Sequence, residues 1–137
     1  MRPSVTRCLQ TLLIGGTALC LAAPAAADDA AGNPQVVKIH ADWCGTCVKL
    51  NPTWEALREK HADSVDFVIL DVTNDITRAA AENTAEQRGL DRVFETYGGR
   101  TGTVLVMRAA AGEPVAVLKG KTDVADYDEP IARARES

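Results

Sequence analysis

Val36-Val37-Lys38-Ile39-His40-Ala41-Asp42-Trp43-Cys44-Gly45-Thr46-Cys47-Val48-Lys49-Leu50-Asn51-Pro52 is the stretch that decides how this 137-residue chain is read. Its first five residues are a short β-branched run, the pattern of a strand. From Cys47 the period changes: Cys47, Leu50, Trp54 and Leu57 recur at helical spacing, with Arg58, Glu59 and Lys60 outside the stripe. Pro52 lies inside that helical stretch and is expected to kink it. Cys44 therefore falls where a strand hands over to a helix. Unsatisfied N–H groups and the positive end of the helix dipole favour a thiolate there. Such settings lower a cysteine pKa to roughly 3.5–7.5, from about 8.5 when free. Cys47 lies one turn on, on the same face and within disulfide reach, and should be the more sheltered of the two. The expected chemistry is attack by a Cys44 thiolate on a substrate disulfide, a mixed disulfide, and its resolution by Cys47.

Two cysteines three apart also occur in metal sites. A structural zinc needs about four ligands. The candidates besides Cys44 and Cys47 are His40 and His61. His61 ends the predicted helix about 21 Å from Cys47 at 1.5 Å per residue, out of reach. A soft metal such as Cu(I), held by the two thiols and His40, stays open as an alternative. So does a purely structural disulfide, although so small a loop contributes little.

The other two cysteines, Cys8 and Cys20, precede this stretch. Arg2 and Arg7 make a basic start, Leu9 to Leu21 is apolar apart from Gln10, Thr11 and Thr17, and Ala25-Ala26-Ala27 precedes the first acids, Asp28 and Asp29. These are the parts of a secretory signal peptide, cleaved after Ala27. The apolar run is shorter than the roughly 18–20 residues that span a bilayer. Cys44 and Cys47 are then the only cysteines of the exported chain, which speaks for chemistry rather than a disulfide scaffold. The full chain carries 15 Lys and Arg against 19 Asp and Glu, a net charge of −4, and loss of Arg2 and Arg7 takes it to −6. That balance speaks against a nucleic-acid partner.

After an N-terminal segment at 28–34, small, polar and expected to be mobile, residues 35–137 read as one domain. Val65 to Val72 (VDFVILDV) reads as a second strand buried on both faces. Asn74 and Asp75 are N-cap candidates for an Ala-rich helix that Gly89 stops. Leu90, Val93, Phe94 and Tyr97 form a further helical stripe. Thr103–Met107 and Pro114–Lys119 read as strands of a hairpin, and Val124, Tyr127 and Ile131 as the inner face of a last helix that Pro130 makes irregular. A strand–helix–strand crossover followed by a hairpin gives an α/β fold, with a mixed central sheet of about four strands and helices on both faces.

The segment VVKIHADWCGTCVKLNP resembles the strand-to-active-site segment of the thioredoxin superfamily, including Trp43 before the pair and Pro52 after it. Asp42-Trp43-Cys44 and Asp71-Val72-Thr73-Asn74-Asp75 are similar to the periplasmic C-terminal domain of the bacterial transmembrane thiol-disulfide interchange protein. The resemblance implies a thioredoxin-like three-layer sandwich, with Cys44 as nucleophile and Cys47 as resolving thiol. Trp43, Gly45, Thr46, Thr101 and Gly102 would form the surface that substrates meet. It implies protein thiols and disulfides as substrates, a membrane-bound electron donor or acceptor, a monomer, no cofactor and a periplasmic or secreted location. Three positions depart from the family's pattern. Gly102 stands where thioredoxins carry a cis-proline, and is expected to be trans, since a cis bond without proline costs about 2.5–4 kcal/mol. Lys38 replaces a buried acid. It either lowers a thiol pKa, as His40 could, or points to solvent along an edge. Thr46 replaces the proline between the cysteines. An interaction module whose catalysis has decayed is the remaining alternative.

Overall fold

The computed structural model describes residues 32–110 and 112–136. The signal peptide at 1–27, with Cys8 and Cys20, lies outside the described residues, as do 28–31 of the N-terminal segment, Ala111 and Ser137.

Eight elements follow in order: β1 (Gln35–His40), α1 (Gly45–His61), β2 (Asp66–Asp71), α2 (Asp75–Gln87), α3 (Asp91–Tyr97), β3 (Thr103–Met107), β4 (Ala116–Lys119) and α4 (Ala125–Arg135). The sheet order is β2-β1-β3-β4. β1 runs parallel to β2 through the α1 crossover, while β3 is antiparallel to both β1 and β4. Alternation along β1 splits the core into two layers. Val36 faces α1 and α4 and packs with Leu50, Trp54, Leu57, Tyr127 and Ile131. Val37 and Ile39 face the α2–α3 side with Leu70, Ala85, Phe94 and Leu105. Each such fully buried Leu or Ile contributes on the order of 1.5–3 kcal/mol. Trp54 meets Phe67 edge-on, ring centroids 5.3 Å apart.

Three expectations change. β2 buries only one face fully: Val68 and Leu70 are buried on the α2–α3 side, while on the other face Phe67 is half-buried against Trp54 and Ile69 is 46% exposed. β1, by contrast, lies between β2 and β3, so Lys38 does not run along an edge and is 2% exposed. Both internal prolines, Pro52 and Pro130, lie within helices that continue past them rather than ending there. Pro52 and Pro130 offer no N–H to the carbonyls of Val48 and Asp126, and those two residues are exposed, so water can take the lost bonds. The capping prediction holds: the Asn74 side chain accepts from the N–H groups of Ile76 and Thr77, and Thr77 Oγ1 accepts from Asn74 N–H, a reciprocal box.

Candidate functional site

β1 ends in a tight turn in which Cys44 N–H donates to Ala41 O at 3.1 Å. The turn leaves Cys44 in extended geometry (φ −88°, ψ 106°) as the N-cap of α1, and its Sγ accepts the Cys47 N–H at 3.3 Å. A sulfur thus takes the place of the usual capping oxygen. Cys44 is 9% exposed and Cys47 fully buried, with Cys47 Sγ donating to Ile39 O at 3.6 Å. Both are free thiols.

Their environments push them in opposite directions. Burial works against a Cys44 thiolate. Hydrogen bonds from the Cys47 and Thr101 side chains, and from the backbone of Cys47 and Thr46, outweigh it and hold its pKa below the ordinary thiol value. For Cys47, burial pushes the pKa up, and the hydrogen bond and charge of Cys44 add to it, against the backbone of Ala41 and Gly102. Of the two thiols, Cys44 is the easier to deprotonate.

Around the pair, Trp43 is 67% exposed and anchored through Nε1 to Thr73 O at 3.0 Å. Thr73 Oγ1 also accepts from Asp42 N–H at 3.0 Å and donates to Asp71 Oδ1 at 2.6 Å. Asp71 and Thr73 therefore buttress the turn that carries Cys44, a role their similarity alone did not reveal. Gly45 is exposed, with open space where a Cβ would stand. Thr101 and Gly102 lie beside Cys44: a Cβ on Gly102 would come 3.6 Å from Cys44 Sγ. No cis peptide bond occurs among the described residues, so Gly102 is trans as expected.

The two pKa-tuning candidates part ways. Lys38 donates from Nζ to Asn51 Oδ1 at 2.7 Å and lies 5.6 Å from the Trp54 ring. Burial lowers its pKa, while the thiols of Cys47 and Cys44 and the Glu55 carboxylate pull it back up, so it shares a field with the pair. His40 instead turns Nε2 to Asp42 Oδ1 at 3.2 Å and is absent from the groups that act on Cys44. Among the described residues, no three His, Cys, Asp or Glu side chains converge as a metal site, so His40 does not complete one with the thiols. Asn51 was not singled out from the sequence. Its position four residues after Cys47, on the same helical stripe, was the available signal.

The thioredoxin family model matches residues 27–86, which span β1 through α2. The chain is 42% identical over 43 residues to the thioredoxin-like protein HCF164 of Arabidopsis thaliana chloroplasts, covering 31% of this chain and 16% of that one. It is 40% identical over 38 residues to thioredoxin of Borreliella burgdorferi, covering 28% and 32%. A thiol:disulfide interchange protein TxlA homolog of Synechocystis is 37% identical over 43 residues, covering 31% and 24%. The chain thus spans well under half the length of these curated relatives. Among solved structures, a thiol:disulfide interchange protein of the thioredoxin family from Chlorobium tepidum superposes with a TM-score of 0.53 at 26% identity, over 77% of this chain and 81% of its own. A solution structure of an oxidised thioredoxin-like protein matches at 0.50 and 13% identity, a likeness of fold. A four-stranded sheet of this order, with a cysteine capping the helix that leaves its central strand, carries these matches: the fold is thioredoxin-like, and from β1 through α2 the chain is similar to the thioredoxin family.

Proposed function

We propose that this chain is an exported thiol-disulfide oxidoreductase that exchanges disulfides with protein substrates through Cys44 and Cys47. One observation carries the reading: Cys44 caps α1 with its Sγ accepting the Cys47 N–H at 3.3 Å, and the second thiol lies fully buried one turn on, an arrangement that favours the Cys44 thiolate and disfavours that of Cys47. The thiol:disulfide interchange relatives support the same chemistry. The Cys44 thiolate attacks one sulfur of a substrate disulfide, forming a mixed disulfide and releasing a substrate thiolate that takes up a proton. Cys47 then loses its proton and attacks Cys44 Sγ, and the second substrate thiolate leaves. The substrate gains two electrons and two protons, and the pair closes as Cys44–Cys47. A membrane-bound donor resupplies the electrons, or the cycle runs backward with an acceptor, and the chain acts as a monomer.

The test is trapping. Cys47→Ser should accumulate a mixed disulfide with reduced-and-reoxidised substrate proteins, Cys44→Ser should trap none, and wild type should reduce insulin faster than either. Equal insulin rates for wild type and Cys44→Ser would remove the reading. The potential of the pair sets direction: near −270 mV marks a reductase, near −120 mV an oxidase. Export through residues 1–27 is checked by N-terminal sequencing of the protein from a periplasmic fraction, which should begin at Asp28; a chain that retains Met1 in the cytoplasm removes that part.

A further inference from the structure

Gly102 and Gly120 both have positive φ, 77° and 64°, and both face the side chain of Thr46. A Cβ on Gly102 would stand 2.8 Å from Thr46 Cγ2 and 2.9 Å from Thr46 Cβ, closer than carbon atoms approach. A Cβ on Gly120 would be 3.4 Å from the same methyl. The two glycines are laced to the sheet: Gly120 N–H donates to Gly102 O at 3.0 Å, and Gly102 N–H donates to Ile39 O at 3.0 Å. That lacing keeps Gly102 from retreating to make room. Thr46 is fixed from the other side by its place in the first turn of α1, between Cys44 and Cys47, where Cys47 N–H is bonded to Cys44 Sγ.

We propose that Thr46 and Gly102 are a matched knob and hollow, in which the threonine side chain fills the space a side chain at 102 would take, so that Thr46 sets the width of the substrate groove beside Cys44. The groove clause rests on the oxidoreductase reading above. The ligand is an extended protein segment carrying the attacked disulfide, and its flanking side chains must pass the Thr46 methyl to reach Cys44. The departures at Thr46 and Gly102 are then one change rather than two. A proline at 102 would lose the bond to Ile39 O, cannot adopt φ of 77°, and would strike Thr46.

The steric clause is read from unfolding equilibria of the full, reduced chain carrying Gly102→Ala, Thr46→Gly, or both. The strain of alanine at positive φ is present in either background and cancels in the cycle, leaving the contact with Thr46. Gly102→Ala should lower the folding equilibrium constant roughly tenfold more with threonine at 46 than in the Thr46→Gly background. If Gly102→Ala alone does not fold, the double variant should. Equal effects in the two backgrounds, or a double variant that stays unfolded while Thr46→Gly folds, overturns the pairing. For the groove, the ratio of kcat/KM on insulin to that on glutathione disulfide should rise several-fold in Thr46→Gly and keep the wild-type value in Thr46→Val, which preserves the branched shape. A ratio unmoved by Thr46→Gly overturns it. A wild-type chain inert on both substrates sinks the oxidoreductase reading, and the unfolding cycle then decides the knob and hollow by itself.

Discussion

Thr101→Val asks how much of the Cys44 thiolate is held by donors rather than by its place at the head of α1. The Cys47 N–H donates to that sulfur at 3.3 Å, and the Thr101 side chain and the Thr46 backbone beside it also hold the thiol pKa down. A hydrogen bond to a charged group contributes about 1.5–3 kcal/mol net. Thr101 is half-buried, so water replaces part of what is lost and the lower end, about 1.5 kcal/mol, applies. One pKa unit corresponds to about 1.36 kcal/mol, so the Cys44 pKa should rise by roughly one unit. The assay is the pH dependence of thiolate ultraviolet absorbance and of alkylation rate, in Cys47→Ala protein with and without Thr101→Val, so that one thiol titrates. In the intact pair, a less stable thiolate means a less stable reduced form, and the potential should move about 30 mV toward reducing, at a pH above the Cys44 pKa. The stability consequence has a definite sign. A thiol whose folded pKa lies below its ordinary 9.0 stabilises the reduced fold above that value, and the contribution is lost as pH falls through the folded pKa. Thr101→Val should therefore cost reduced-state stability in alkali and none in acid through this group. A pKa shift below about 0.3 unit would refute the reasoning and leave the thiolate to the helix terminus.

Lys38→Met should change the pH dependence of stability in the Cys44→Ala/Cys47→Ala background. Burial holds the Lys38 pKa below 10.5, so between the folded pKa and that value the unfolded chain binds more protons and stability rises with pH. Urea titrations at several pH values should show that slope and its loss in Lys38→Met; a slope that survives belongs to another group. Asn74→Ala removes the α2 cap and should cost about 1 kcal/mol of unfolding free energy while leaving the Cys44 pKa in place. A shifted thiol pKa would mean that the Trp43 buttress reaches the sulfur. Tyr127→Phe deletes the hydroxyl that donates to Lys121 O at 2.7 Å and should cost about 1 kcal/mol. Because burial, with Asp126, pushes the Tyr127 pKa to about 12, that cost should be constant with pH until strong alkali, and a loss appearing near neutrality would contradict it.

The strand-to-helix junction at Cys44 was legible because a β-branched run ends at His40 and apolar residues at helical spacing begin at Cys47, with Cys44 between them. The neighbours of a strand are not written in its own period. VDFVILDV has the composition of a doubly buried strand, yet β2 has one partner and shows Ile69 to water. Lys38 carries the opposite lesson. A charge in a strand suggests an edge, but a long apolar stem lets an ammonium sit on a central strand and reach Asn51 at the helix surface. His40 stands four residues before Cys44, and distance along the chain suggested approach; its Nε2 turns to Asp42 instead. Gly102 was noticed in the sequence only as a missing proline. Its meeting with Thr46 spans the hairpin side of the sheet and the head of α1, and no local pattern encodes such an encounter.

In the proposed cycle the raised pKa of Cys47 need not slow resolution, because much of its cause is temporary. Burial opposes a Cys47 thiolate throughout. The two further opposing contributions, the polar contact with the Cys44 sulfur and the charge on it, are strongest while Cys44 is a free thiolate. Once Cys44 is bonded to a substrate sulfur, its charge is gone and its sulfur is a poor acceptor. What remains is burial set against the backbone of Ala41 and Gly102, with the Lys38 ammonium in the same field. Cys47 therefore becomes easier to deprotonate at the step that needs its thiolate, and stays protonated before it. Cys44 in turn leaves readily from the mixed disulfide when a second thiol attacks the substrate sulfur, since a thiol of low pKa is a good leaving group. A substrate slow to present its disulfide to Cys47 is thus released unchanged, and a mixed disulfide that places Cys44 Sγ in line with Cys47 is carried through to exchange.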